Sequence, residues 1–211
     1  ALAGMIRALR AGAREELDGA TRGVVHAHWW FPSGLAAPSE RPMVVTCHGT
    51  DVRMLETSGP ARWLAKRPFH RARRVTTVSR SLADALRTHG AKVADDSVVP
   101  MPVTAMERPW SIGGGGIVVL GRLTEQKRVH LAVEAYALAR QQGCTLPLVI
   151  AGDGATRAAL QSQVGGLGLS SAVQFLGAVA PTDVPALLAT ADACLMPARG
   201  EGFGLAAAEA L

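Results

Sequence analysis

The chain has 211 residues, of which 48% are hydrophobic and 4% aromatic, with a formal net charge of +5. That length suits one large domain or two small ones with a sizeable core, and abundant alanine and glycine with few aromatics suits α/β packing. No apolar run is long enough to span a bilayer, and the arginine-interrupted start gives no expectation of a secretory signal. Cys47, Cys144 and Cys194 are far apart and lack metal-ligand spacing. They read as small buried hydrophobes in a reducing compartment, which predicts a cytoplasmic location. Nucleic acid is not an expected partner, because no zinc finger, basic zipper or aromatic RNA-binding motif occurs.

Residues 1–22 predict a helix, with Met5, Ile6, Leu9 and Leu17 on an apolar stripe. Val24-Val-His-Ala-His28 predicts a strand, followed by Trp29, Trp30, Phe31, Pro32, Ser33 and Gly34. A second strand at Met43–Thr46 leads into Cys47-His-Gly-Thr-Asp51, and a helical stretch follows over about 58–72. Much of the positive charge sits in the run Arg62 to Arg74, with Lys66, Arg67, Arg71, Arg73 and Arg74 around Trp63 and Phe69. The run reads as a solvated helix face; the alternative is a surface for anionic lipid or a phosphorylated acceptor at the inner face of a membrane. Val75–Val78 is a third strand, and Ser79 or Ser81 caps a helix ending near Gly90. Val98-Val99 starts a last short strand, broken by Pro100 and Pro102.

From Thr104 to Gly116 the pattern lapses into Pro109 and four consecutive glycines, which predicts a linker. The expected domains are therefore 1–108 and 109–211. The second half has strands at Ile117–Leu120, Leu146–Ala151, Val173–Leu176 and Ala193–Met196. Helices are expected over about 128–142, from Gly154 to about Val164, and over about 182–190. Continuous apolar strands alternating with helices predict parallel sheets covered on both faces, hence two Rossmann-like domains. His28, His48, Ser79, Gly121, Gly152, Gly177 and Arg199 fall at or just past the carboxyl ends of strands, the edge where open α/β sheets bind ligands.

The last stretch, Arg199-Gly-Glu-Gly-Phe-Gly-Leu-Ala-Ala-Ala-Glu-Ala-Leu211, places Glu201 and Glu209 eight residues apart around a glycine turn and an alanine-rich helical run. Strand, glycine turn and helix form an anion-binding geometry, and the carboxylates accept hydrogen bonds from hydroxyls. This stretch resembles the E-x7-E motif of retaining GT-B glycosyltransferases of family 4. His48-Gly-Thr-Asp51, Gly121-Arg-Leu-Thr-Glu-Gln-Lys127 and Ala151-Gly-Asp-Gly154 resemble three further motifs of that family, in its order. The resemblance runs from about Val24 to the C-terminus. It implies a GT-B fold, two Rossmann-like domains facing a cleft, the first on the acceptor side and the second binding the nucleotide sugar. Measured against it, the chain is expected to be truncated at both ends.

The same resemblance implies the site. Arg122 and Lys127, after Gly121, would stabilise charge developing on the leaving β-phosphate, a task in which fixed cations favour the transition state. Glu201 would contact the transferred sugar and Glu209 the ribose. Gly202, Phe203, Gly204 and Leu205 would offer the glycine turn and its backbone N–H groups, while Leu176, Gly177 and Val179 would border the base. His48 would lie at the donor–acceptor junction, with His28, Ser33, Gly34 and Asp51 on the acceptor side. Asp51 reads equally as a loop-orienting or capping residue, and Trp29 and Trp30 as stacking or core residues.

No Asp-x-Asp metal motif occurs, and His26 and His28 share a strand face without a third ligand, so neither metal nor cofactor is expected. The implied activity is metal-independent transfer of a hexosyl group from a UDP- or GDP-sugar to a hydroxyl acceptor by a front-face path. The acceptor would be a sugar, a lipid-linked sugar or a small molecule. The alternatives are an epimerase or phosphorylase of the same fold, an inactive nucleotide-sugar-binding fragment, and a basic interaction domain.

Overall fold

Val25–His28 (β1), Met43–Cys47 (β2) and Arg74–Thr77 (β3) pair in parallel in the computed structural model, in the order β1-β2-β3. The structure describes residues 2–19, 22–103 and 114–211. These divide into two units, Ala1–Met101 and Pro102–Leu211. The boundary expected between 108 and 109, and the linker residues 104–113, lie outside the described residues.

In the first unit, the connections are the helices Thr50–Thr57 (α2), Gly59–Arg71 (α3) and Arg80–Thr88 (α4). The sequence merged none of α2 into its helix at 58–72, because Ser58 starts α3 afresh: its hydroxyl accepts from Ala61 N–H at 3.3 Å, with Pro60 in the first turn. Of the two serines expected to cap α4, Ser79 does so, accepting from Leu82 N–H at 3.4 Å. Met43, Val45, Leu55, Leu86 and Trp30 are fully buried around β2. The strand expected at Val98-Val99 is only a single parallel bridge to Thr77, since Pro100 and Pro102 donate no further backbone bonds.

The first helix, Leu2–Glu16 (α1), stops short of residue 22, where Asp18 and Gly19 turn the chain. Its expected apolar stripe does not form a core: no residue of α1 is buried. Polar contacts hold it instead. Arg10 donates to the carbonyls of Leu35 and Ala36, at 2.8 and 3.2 Å, and Arg14 pairs with Glu40. The basic run on α3 is divided in the same way. Arg71 turns inward and donates to the carbonyls of Ala37 and Pro38, whereas Arg62, Lys66, Arg67 and Arg73 are exposed.

In the second unit, Ile117–Leu120 (β4), Leu148–Ala151 (β5), Val173–Gly177 (β6) and Ala193–Cys194 (β7) form a parallel sheet in the order β6-β5-β4-β7. Helices Val129–Gln141 (α5), Arg157–Gly166 (α6), Val184–Ala189 (α7) and Leu205–Glu209 (α8) alternate with the strands. Side-chain alternation makes two cores. Val119 and Ile150 face a cluster with Leu123, Val133, Tyr136 and Leu160, while Val118 and Val149 face Leu188 and Ala191. A sheet buried on both faces is what the continuous apolar strands predict.

The loop after β4 is stitched to the turn after β5. Leu123 N–H donates to the Asp153 carbonyl at 2.8 Å, and Thr156 N–H to the Leu123 carbonyl at 3.1 Å. Gly152 and Gly154 permit this approach, since a Cβ on either would overlap the carbonyl of Gly121 or Leu123, respectively. Gly152→Ala is therefore expected to cost at least about 3 kcal/mol in urea unfolding, or to prevent folding. Gly165→Ala, in open space on α6, should be neutral or stabilise by up to about 1 kcal/mol.

Candidate active site

Strand order in the second sheet runs outward from β4 through β5 to β6, then reverses to place β7 on the other side of β4. In an open parallel sheet such a reversal opens a crevice at the carboxyl ends, because the two loops leave to opposite faces. A cavity of about 220 Å³ lies there. Leu120, Leu195, Met196, Pro197 and Ala206 give it apolar walls, and among the described residues Lys127 and Glu201 are the only charged ones that line it.

Lys127 reaches the cavity from a 3₁₀ turn, Glu125–Lys127, that leads through left-handed Arg128 into α5. Gly121, at φ 144°, lies under the lysine stem. Glu201 comes from the loop after β7, which is tied across by Arg199 N–H donating to the Gln126 carbonyl at 3.3 Å. Lys127 Nζ and Glu201 Oε1 are 2.9 Å apart and both side chains are about three-quarters buried. That oxygen is shut off from solvent, and the ammonium lies out of line for a hydrogen bond. The contact is Coulombic, and Coulomb attraction does not need that alignment.

Of the residues proposed for the donor, Gly121, Lys127, Glu201 and Gly204 therefore share one cavity. Gly202 and Phe203 are half-buried in the adjoining turn; Gly204, at φ 79°, begins α8, and Leu205 is exposed. Arg122 is exposed and outside the cavity lining, so the described cavity holds the lysine of the expected cationic pair without the arginine. Glu209 is half-buried at the end of α8, also outside the lining. Because α8 has only five residues, its N-terminus carries little of a helix macrodipole. Leu176, Gly177 and Val179 lie at the end of β6, three strands from β7, or roughly 14 Å away. Beside them is Arg157, which sequence reasoning did not single out: it pairs with Asp153 at 3.0 Å and abuts the open face of Gly177. The apolar lining was also missed, although apolar residues at the carboxyl ends of β4 and β7 were its signal.

In the first unit, β1 and β2 end side by side, bringing His28 and His48 together. His28 Nδ1 and His48 Nε2 are 2.8 Å apart, so one proton is shared between them. His26 lies behind His28, its ring tilted by 34° with centroids 4.4 Å apart, and its Nε2 meets Thr46 Oγ1 at 2.7 Å. Burial, then the neighbouring His28, lowers the pKa of both His48 and His26; for His48 the Asp51 carboxylate partly offsets this. Among the described residues, no group of three or more His, Cys, Asp or Glu is arranged to hold a metal ion.

Asp51 is buried, and its Oδ1 accepts from the backbone N–H of both His48 and Gly49 at 3.0 Å. Its Oδ2 accepts from Trp30 N–H at 3.4 Å, and its carbonyl from the Trp30 indole at 2.7 Å. Asp51 thus lies beneath the His48 loop and orients it. Trp30 is core, whereas Trp29 is 46% exposed with its ring edge towards His48. Gly34 is buried against Pro68 and Val45, where a side chain would crowd, and Ser33 is half-buried beside it.

A family model described as Glycosyltransferase Family 4 matches residues 2–105, and one described as Glycosyl transferases group 1 matches residues 114–211. The chain belongs to this family, the GT-B glycosyltransferases of family 4. It is 30% identical to a glycogen synthase of Mycobacterium tuberculosis, over 96% of this chain and 54% of that protein. It is 38% identical to a GDP-mannose-dependent phosphatidylinositol dimannoside mannosyltransferase of the same species, over 45% of this chain and 24% of that protein. The fold is shared with sucrose-phosphate synthase of Thermosynechococcus elongatus (TM-score 0.74, 20% identity, 95% of this chain and 56% of that one). It is also shared with Anabaena HepE in complex with UDP and glucose (TM-score 0.67, 19% identity, 97% and 54%). The chain spans about half the length of the curated relatives that it matches throughout, at 54%. No helix among the described residues is long and apolar enough to cross a membrane.

The histidines give a pH dependence with a definite sign. An unfolded histidine titrates near 6.5, and in the fold His26 and His48 titrate lower. Below 6.5 the unfolded chain therefore binds more protons, so the stability they contribute is complete above 6.5 and falls as pH drops through the folded values. Thermal unfolding of the first unit should be flat above that pH and decline below it, and His48→Gln should shallow the decline. Asp51→Ala should destabilise by about 2–4 kcal/mol in chemical unfolding, since it strands buried N–H donors.

Proposed function

We propose that this chain carries the reacting groups of a retaining glycosyltransferase that moves a hexosyl group from a UDP- or GDP-sugar to a hydroxyl acceptor. The observation that carries this reading is the Lys127–Glu201 pair in the crevice where strand order reverses. An ammonium there meets the β-phosphate as it gains charge, and Glu201 accepts hydrogen bonds from sugar hydroxyls. The second unit is the donor side, with Glu209 on the ribose, Leu176, Gly177 and Val179 by the base, and the Phe203–Leu205 backbone at the phosphate or sugar. Arg122 joins Lys127 once its exposed side chain turns to the phosphates. The first unit is the acceptor side, with His48 at the reacting hydroxyl, neutral because of its burial, and His28 fixing its proton. The GDP-mannose-dependent relative and the fold neighbour solved with UDP and glucose fit a nucleotide-diphosphate donor.

Transfer follows a front-face path. The bond between the anomeric carbon and the phosphate oxygen breaks, the acceptor oxygen bonds to the same face, and its proton passes to the leaving phosphate. Lys127 and Arg122 supply the positive charge that a metal would otherwise provide, so we propose that neither metal nor cofactor is needed. The free thiols of Cys47, Cys144 and Cys194 fit a cytoplasmic location.

Calorimetric titration of UDP, GDP and ADP, with chelator present, tests this reading. One nucleotide should bind saturably, and Lys127→Ala should weaken it roughly tenfold or more. Glu201→Ala frees the ammonium, so it should preserve or tighten binding of the bare diphosphate while losing the added affinity for its sugar. A folded chain that binds none of the three would refute the proposal.

A further inference from the structure

The opposite, amino-terminal edge of the first sheet holds a basic hollow of about 550 Å³. Its basic side chains come from three segments. Lys66 and His70 lie one turn apart on α3, Arg73 and Arg74 lead into β3, and His89 and Lys92 follow α4. Phe69 and Val75 add apolar surface, and among the described residues no Asp or Glu lines it. Sequence reasoning saw the α3 cations as one solvated run and did not see that the α4 segment closes round them.

Cations at this edge have an ordinary explanation, and magnitudes decide whether it suffices. Helices run against their strands, so α3 and α4 both end here, each presenting about half a negative charge. Asp96 adds one carboxylate, 3.0 Å from Arg74. Dipoles and carboxylate together supply roughly two negative charges against the four cations Lys66, Arg73, Arg74 and Lys92. Lys66, Arg73 and Lys92 have no acidic partner among the described residues. An excess of about two positive charges remains before either imidazole is counted. A phosphate monoester carries about −1.5 to −2 at neutral pH, which matches that excess.

We propose that this hollow binds a phosphate monoester group, carried by a soluble compound or by a lipid headgroup. The assignment is independent of the glycosyltransferase reading, because it uses none of the same residues. The test is amide NMR of the whole chain titrated with inorganic phosphate and with glycerol 3-phosphate. Parallel sedimentation would use phosphatidylcholine vesicles with and without phosphatidic acid.

Shifts should saturate at residues 66–75 and 89–92 and spare 121–127. Binding should fall roughly tenfold or more in Lys66→Gln/Lys92→Gln, whose fold is checked by circular dichroism. Arg73→Gln/Lys92→Gln alters a second pair of exposed side chains and should give the same loss. Saturation by the soluble phosphates supports the site with a free ligand. Response only to phosphatidic acid vesicles, lost in the variants, supports it with a lipid headgroup. No saturable response to any probe, or binding unchanged in the variants, overturns it.

Discussion

Lys127 and Glu201 neutralise each other in a crevice that the reversal of strand order creates. The arrangement around them follows from that placement. The pair needs the β4 loop and the β7 loop to approach, and the glycines after β5 hold the β4 loop in position by accepting its backbone at van der Waals contact. The ammonium rests on the Glu201 carboxylate, 2.9 Å away. A diphosphate carries more charge than a carboxylate, and Coulomb energy scales with the charge product. On the proposed function, exchange of Lys127 from Glu201 to a phosphate would be favourable once other contacts hold the nucleotide, and would release Glu201 to accept hydroxyl hydrogen bonds.

The first unit positions its strand-end histidines by a different device. A buried carboxylate, Asp51, gathers the backbone N–H groups of the His48 turn and locks Trp30 into the core beneath it. His28 and His48 share a proton above it, and burial together with the neighbouring His28 disfavours charge on His26 and His48. The outcome is an imidazole at a strand end whose neutral form is favoured, able to donate or accept a hydrogen bond.

Strand positions were legible because continuous apolar runs bounded by glycine and proline have few other interpretations. The two cores of the second sheet follow from adjacent residues such as Val118 and Val119 pointing to opposite faces. What stayed hidden was mostly tertiary. The α1 stripe reads as core, yet arginine contacts to backbone carbonyls hold that helix. Asp51 reads equally as cap, contact or brace, and only three-dimensional proximity to Trp30 decides. The motif loops put Lys127 and Glu201 in one site, but their mutual pairing depends on side chains seventy-four positions apart (201 − 127). The exposed position of Arg122 is likewise invisible in a motif that treats it as the partner of Lys127.

The most direct measurement is a crystal structure of this chain with the nucleoside diphosphate that binds it. The account predicts the diphosphate in the β4–β7 crevice, with Lys127 Nζ moved off Glu201 onto a phosphate oxygen. A nucleotide bound elsewhere, or bound there with the Lys127–Glu201 contact intact, would contradict it.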